Sequence, residues 1–90
     1  MAQAIVDPAE LRRFAQSLKR FNNELQQHGS ALNSQLNTLG STWRDQEHTK
    51  FAEQFEQHLK VLARFTEASD QYIPYLLRKA QRIEEYLQQR

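Results

Sequence analysis

Apolar residues recur every seven positions in the first part of the chain. The leucines of this repeat are Leu11, Leu18, Leu25, Leu32 and Leu39. Phe14 and Phe21 form a second column beside them. A seven-residue repeat keeps one stripe of a helix facing its neighbour along the whole length. Asp7 is placed to cap this helix and Pro8 suits its first turn, so the pattern predicts a first helix over about residues 7–39.

A second apolar run has the same repeat. Its two columns carry Phe51, Phe65, Tyr72 and Tyr86, and Phe55, Leu62, Leu76 and Ile83. Leu59, Ile73, Ala80 and Leu87 widen the stripe, and a wide stripe predicts contact with more than one helix. The second helix is predicted over about residues 43–90.

Pro74 falls inside the second helical pattern. Proline lacks the backbone N–H and clashes with the preceding turn. The sequence therefore predicts either a kink near Pro74 or a break followed by a separate C-terminal helix. Because the apolar periodicity continues beyond Pro74, the kink is the favoured alternative.

A short turn at residues 40–42 separates the two predicted helices. Gly40 suits a left-handed residue at the end of the first helix. Ser41 or Thr42 is then expected to cap the second helix, with Asp45 completing a capping box. Because so short a connection makes helices antiparallel neighbours, the fold class is all-α. Residues 1–90 are predicted to form a single helical-hairpin domain.

Two helices side by side bury only one seam each, which leaves several aromatic residues without cover. A second hairpin supplies that cover at low cost and gives a four-helix bundle. The sequence thus predicts a dimer. The residues predicted to form the seams of the hairpin and the dimer are Leu11, Phe14, Leu18, Phe21, Leu25, Leu32, Leu39, Phe51, Phe55, Leu62, Phe65, Tyr72, Leu76 and Ile83.

Charge and composition narrow the classes of partner. The net charge is +1, with four basic and three acidic residues up to Gly40 and eight of each after it. An even spread gives no basic stripe for nucleic acid. No apolar run approaches the roughly 18 residues of a membrane span. Cysteine is absent, and the N-terminus is too short and too weakly apolar for a cleaved signal peptide.

No arrangement of residues suggests catalysis, a cofactor or a metal site. His28, His48 and His58 lack the i, i+3 or i, i+4 spacing of a helical metal pair. His28 and His58 fall on the heptad columns, where a polar layer between facing helices is the expected role. There is no glycine-rich phosphate loop, so the chain is not expected to be an enzyme.

One aromatic constellation carries a resemblance. Trp43 stands at the predicted turn, Phe51 follows eight residues later, and Phe55 comes next. With a helix on either side, no cysteine and no signal peptide, essentially the whole chain resembles the small Trp-X-Gly (ESAT-like) proteins of type VII (ESX) secretion. The resemblance implies antiparallel hairpins that pair as homodimers or heterodimers and leave the cell folded, without a cleaved signal. It also implies a groove near the turn tryptophan.

Two motif positions differ from the family pattern. The turn motif reads Trp43, Arg44, Asp45, with aspartate where the family has glycine. The family's export signal is a tyrosine followed four residues later by an acid; here Tyr86 is followed by Arg90. The resemblance also implies the secretion ATPase as a partner.

Two functions remain open at this point. The first is a secreted substrate or partner protein of a type VII system, acting by protein–protein interaction with itself or a related hairpin. The alternative is a cytoplasmic adaptor or chaperone that binds a client helix. The spacing of Trp43 and Phe51 favours the first, and Arg90 after Tyr86 favours the second.

Overall fold

A computed structural model describes residues 6–89 of the chain. Within that range there are two helices, α1 (Pro8–Leu39) and α2 (Gln46–Gln88), and no strand. The helices pack against each other along their length, since Arg12 contacts Glu84 at one end and Leu36 contacts His48 at the other. The prediction of an all-α antiparallel hairpin is confirmed. The hairpin is 68 Å long and 20 by 17 Å across.

Asp7 begins α1 as its sequence position predicts. Its backbone is extended, and its Oδ1 atom accepts a hydrogen bond from the Ala9 amide at 2.9 Å. Pro8 occupies the first turn, where its missing N–H leaves no hydrogen bond unmade. The acidic Glu10 also lies in this turn, where its negative charge interacts favourably with the positive end of the helix dipole.

The turn after α1 differs from the predicted one at Gly40. This residue is right-handed, with φ −61° and ψ −16°, so the expectation of a left-handed glycine is wrong. The reason is that helical winding continues past Leu39. The amides of Ser41 and Thr42 donate to carbonyls three residues earlier, and the Trp43 amide donates to the Leu39 carbonyl at 2.9 Å.

Asp45 caps α2, whereas Ser41 or Thr42 was expected to do so. The Asp45 Oδ1 atom accepts a hydrogen bond from the His48 amide at 3.1 Å. The hydroxyls of Ser41 and Thr42 instead donate back to the carbonyls of Thr38 and Leu39. Because these hydroxyls bind the end of α1, they are not available to α2. The connection therefore spans residues 40–45 and is longer than predicted.

Pro74 does not end α2. The helix runs without interruption from Gln46 to Gln88 with Pro74 inside it, so the alternative of a break and a separate C-terminal helix is wrong. Arg90 and residues 1–5, which the sequence expectations included, lie outside the described residues.

Small and polar residues hold the two helices together. We call this set the inner seam: its six members are the buried residues Ala15, Asn22, Leu36, Thr66, Ser69 and Ala80. Gly29 allows a close approach, because a Cβ atom there would lie 3.3 Å from Leu59 Cδ2. Residues this small bring two helices close together and bury little apolar area.

A polar layer lies in the middle of the inner seam. The Asn22 Nδ2 atom donates to Asp70 Oδ1 at 2.9 Å, and the Thr66 hydroxyl donates to the Ala63 carbonyl at 2.9 Å. Asn22 is buried and Asp70 is exposed, and a polar contact of this kind between facing helices helps to specify their register. His28 and His58, expected to form such a layer, are both exposed in the hairpin. Each lies in an outer heptad column, and a central column separates it from the inner seam.

Candidate functional site

The largest apolar side chains of the hairpin lie outside the inner seam. We call eight of them the front face: Phe14, Phe21, Leu32 and Leu39 of α1, and Phe51, Leu62, Phe65 and Tyr72 of α2. Between 39 and 61% of each residue's surface is exposed. Exposed apolar area on this scale marks an interaction surface in a soluble protein.

Contacts between the two helices show that the front face is continuous. The rings of Phe21 and Phe65 meet edge to face, with 6.4 Å between their centroids and 89° between their planes. Nearer the turn, Leu32, Leu39 and Phe51 line a shallow groove of about 230 Å³ between the helices. The apolar stripes of α1 and α2 therefore combine into one surface on one side of the hairpin.

The other six predicted seam residues are half-buried. They are Leu11, Leu18, Leu25, Phe55, Leu76 and Ile83. All six belong to the two central columns of the repeat, which also carry Leu32, Leu39 and Leu62 of the front face and Ser69 of the inner seam. The sequence pattern predicted that all fourteen residues form the seams of the hairpin and the dimer, without dividing them between the two. The structure divides them into six half-buried residues and eight exposed ones.

The column that closes the hairpin was missed in the sequence. It consists of Ala15, Asn22, Gly29 and Leu36, which also recur every seven residues on α1. The residues three before and four after each leucine lie on one flank of the leucine column. The residues four before and three after lie on the other flank. The small column and the phenylalanine column are those two flanks. The signal was thus present, but small residues carry little weight in an apolar pattern.

Aromatic packing at the turn extends the front face to the tip of the hairpin. The ring of half-buried Trp43 meets His48 edge to face at 5.0 Å and lies 6.3 Å from the ring of Phe51. Phe51 in turn stacks on Phe55 at 6.0 Å. We call Trp43, His48 and Phe51 the turn cluster. Because Phe51 belongs to both sets, the turn cluster and the front face are continuous.

The other two residues of the turn motif support the backbone. The Arg44 Nε atom donates to the Ser41 carbonyl at 3.0 Å, which ties the turn together. Asp45 serves as the cap of α2. An aspartate in place of the family's glycine therefore has a structural role here, since its side chain accepts a hydrogen bond from the His48 amide in the first turn of α2.

His48 packs against Gly40 at the turn. A Cβ atom at Gly40 would lie 3.0 Å from His48 Cε1, closer than a carbon contact normally allows. The His48 Nε2 atom is also 3.4 Å from the Leu36 carbonyl. His48 thus fills the space between the end of α1 and Trp43, and the absent side chain of Gly40 leaves room for it.

One ion pair joins the helices at the open end of the hairpin. Arg12 donates to both carboxylate oxygens of Glu84, from Nη2 at 2.7 Å and from Nε at 3.0 Å. These hydrogen bonds lower the pKa of Glu84 and raise the pKa of Arg12. Tyr86, the residue at the predicted export position, is 67% exposed near the end of α2.

The described residues were also compared with the requirements of a metal site and of a membrane span. Among residues 6–89, no cluster of three or more histidine, cysteine, aspartate or glutamate residues is arranged to hold a metal ion. Within the same range, neither helix has an apolar stretch of the length needed to cross a bilayer.

Comparison with known proteins identifies the family. Searches of curated proteins and of solved structures found no match. One family model does match, over residues 3–89: WXG100, described as proteins of 100 residues with WXG. The match covers nearly the whole chain and confirms the resemblance seen around Trp43. The chain belongs to the WXG100 family.

Proposed function

We propose that this protein is a secreted substrate or partner of a type VII (ESX) secretion system and acts by pairing with a second helical hairpin. Membership of the WXG100 family supports the link to secretion. The observation that carries the pairing is the front face, where eight large apolar side chains lie exposed on one side of the hairpin.

Packing explains why the partner should be a hairpin. The front face follows two antiparallel helices and contains a groove between them. Two such faces placed together form a four-helix bundle, in which heptad columns interdigitate around a common core. The half-buried columns that contain Leu18, Leu25 and Leu76 would become fully buried in that bundle. The assembly therefore uses the whole stripe seen in the sequence.

The proposed mode of action is binding without catalysis. Two polar side chains of the inner seam and the turn cluster make structural contacts, since Asn22 donates to Asp70 and His48 packs edge to face on Trp43. A nucleophile with an adjacent base, which acyl or glycosyl transfer requires, was not found in the sequence. The exposed apolar surface accounts for binding to a partner, and binding needs no nucleophile.

Export is proposed to depend on features at the two ends of α2. The turn cluster around Trp43 lies at one end and exposed Tyr86 at the other. The family pattern assigns the tyrosine to recognition by the secretion machinery, including its ATPase. Because Arg90 replaces the acid expected four residues after Tyr86, the partner chain is proposed to supply the acidic part of the signal.

The test is secretion from native cells. The protein should appear in the culture medium, and its appearance should be lost when the secretion ATPase is deleted. A cytoplasmic enzyme measured in the same medium controls for lysis. Protein that stays wholly inside under conditions in which other substrates are exported would contradict the proposal.

A second candidate function is a cytoplasmic adaptor that binds a client helix. The observation in its favour is Arg90, which breaks the export pattern after Tyr86. A client helix would lie in the groove of the front face as an amphipathic helix does in other grooves. Retention in the cell together with a bound chain of one helix, instead of a hairpin, would support this function over secretion.

A further inference from the structure

Half of the basic residues of the chain lie in one section of the hairpin. Two contacts between the helices mark its ends: Arg12 with Glu84, and Asn22 with Asp70. We call the basic residues between these contacts the basic belt: Arg13, Lys19, Arg20, Arg78, Lys79 and Arg82. No aspartate or glutamate lies between the same contacts on either helix, and the rest of the chain holds six basic and eleven acidic residues. The antiparallel fold thus gathers cations that are spread evenly along the sequence.

The buried inner seam shows where the arginines of the belt lie. On α1, Arg13 and Arg20 each stand two residues before a buried seam residue. On α2, Arg78 and Arg82 stand two residues before and two residues after Ala80. Because two residues turn a helix by about 200°, each arginine lies on the side of its helix that faces away from the other helix. The four arginines therefore occupy the two outer edges of the hairpin, and all four are exposed.

The two lysines of the belt lie on opposite faces of the hairpin, and both are exposed. Lys79 shares its heptad column with Tyr72 of the front face. Lys19 stands three residues before Asn22, on the flank of the inner seam opposite to Phe21. It therefore lies on the back of the hairpin, away from the front face. When a partner covers the front face, the other five cations of the belt remain accessible on the back and the two edges.

The cations of the belt have no carboxylate partner within residues 6–89, where the pair of Arg12 and Glu84 is the one ion pair. That pair, at the end of the belt, shows how an arginine of this hairpin takes a carboxylate. Two of its nitrogens bond the two oxygens, at 2.7 and 3.0 Å. Arginine recognises carboxylates and phosphates by this two-pronged geometry. The chemistry of the belt thus fits a ligand that carries several negative groups.

Shape restricts the kind of polyanion that fits. The belt is about 20 Å long at 1.5 Å per residue, and its cations lie on several sides of a hairpin 20 by 17 Å across. A flat bilayer or a rigid duplex would meet one of these sides at a time. A long phosphate rod along the hairpin would also meet Glu10 beyond one end of the belt and Glu24 beyond the other, which repel it. A flexible acidic chain can instead bend from one edge across the back to the other edge.

We propose that the basic belt binds a short acidic segment of a partner protein, which lies across the back of the hairpin from one edge to the other. An extended chain advances about 3.3 Å per residue, so roughly seven residues cross the 20 Å width of the hairpin. Carboxylates near the two ends of the segment would meet the edge arginines, and one near its middle would meet Lys19. The inference concerns a surface away from the front face, and it holds whichever chain covers that face.

The test measures binding of an acidic peptide to the full chain by fluorescence anisotropy. The probe is a fluorescein-labelled peptide in which glutamate alternates with serine over about twelve residues, long enough to reach both edges. A second peptide with glutamine in place of every glutamate is the uncharged reference. Arg20→Gln with Arg78→Gln removes one cation from each edge. Lys60→Gln with Arg64→Gln is the matched control, because it removes the same charge from exposed positions outside the belt.

At low salt, where charges are weakly screened, the unaltered chain should bind the glutamate peptide and not the glutamine peptide. The belt variant should bind about fivefold more weakly, because two exposed charge pairs are lost, and its control should change by less than about twofold. Each single change should give part of the loss. Absence of binding, equal losses in the belt and control variants, or a loss confined to one edge would overturn the inference. Tighter binding to a single-stranded oligonucleotide, or to vesicles of phosphatidylcholine and phosphatidylglycerol, would overturn it as well.

Discussion

The inner seam and the front face come from the same heptad repeat but have opposite compositions. Apart from one leucine, Leu36, the inner seam carries alanine, serine, threonine and asparagine, and its residues are at most 8% exposed. The front face carries phenylalanine, leucine and tyrosine, and its residues are at least 39% exposed. The difference shows that burial within the hairpin is achieved by close approach. The large side chains, which offer most of the hydrophobic stabilisation, remain exposed on the hairpin.

The largest effect is expected from truncating the front face. Phe21→Ala with Phe65→Ala should weaken the isolated hairpin pair about a thousandfold, since a central aromatic anchor contributes about 2 kcal/mol to an interface. Sedimentation velocity on the pair purified from native cells would measure this. Tyr75→Ala is the matched control, because Tyr75 and Phe65 are each 49% exposed and Tyr75 lies outside the columns. An equal loss in the control would show that the front face has no special role.

The next effect concerns the inner seam. Ala80→Leu should lower the free energy of unfolding of the isolated chain by about 1–3 kcal/mol, because Ala80 is 0% exposed and the added carbons have no space. The same substitution at exposed Ala68 should change it by less than about 0.5 kcal/mol. Urea unfolding followed by circular dichroism gives both values. Equal costs would mean that the seam is loosely packed.

Close approach at the turn gives a smaller effect that depends on one side chain. Gly40→Ala should cost about 1 kcal/mol, since the new Cβ atom would meet His48 Cε1 at 3.0 Å. In a His48→Ala background the same change should be neutral or stabilising by a few tenths of a kcal/mol, because Gly40 already has a right-handed backbone that alanine adopts readily. Thermal unfolding of the four chains completes the cycle. The same cost in both backgrounds would exclude His48 as the cause.

The smallest effect is expected at the exposed ion pair. The pKa of Glu84 is lowered by its hydrogen bonds from Arg12, so the unfolded chain binds more protons than the folded one as the carboxylate titrates. Stability from this pair is therefore present above the ordinary value near 4.5 and is lost as the pH falls through the lowered pKa. Glu84→Gln should flatten the fall in unfolding free energy between neutral and acidic pH, and Glu85→Gln should not. A fall of unchanged steepness in Glu84→Gln would exclude this contribution.

The sequence predicted the hairpin because its strongest local signals agree. The cap at Asp7 marks the start of the first helix, the leucine column marks its packed side, and the short turn indicates an antiparallel neighbour. Together these signals predict two antiparallel helices, and the structure has them. The turn itself was predicted less well. Ser41, Thr42 and Asp45 all favour helix caps, and only the fold decides that the two hydroxyls bind α1 and the carboxylate begins α2.

The candidate site was predicted as a list of residues but not as a surface. Heptad spacing places Phe14 and Leu18 on one stripe, yet it does not say which flank meets the other helix of the hairpin. That choice depends on how closely the helices approach, which Gly29, Ala15 and Ala80 determine together. These residues act by having little side-chain volume, so their effect is seen only in the structure in which the two helices are packed together.

Site-specific photocrosslinking in native cells tests most directly whether a partner covers the front face. A photoreactive phenylalanine analogue at Phe65 should give an adduct with a second small chain of the hairpin class. The same analogue at Tyr75, which is equally exposed, should give much less. Strong crosslinking at position 75 with none at position 65 would contradict the assignment of the front face as the docking surface.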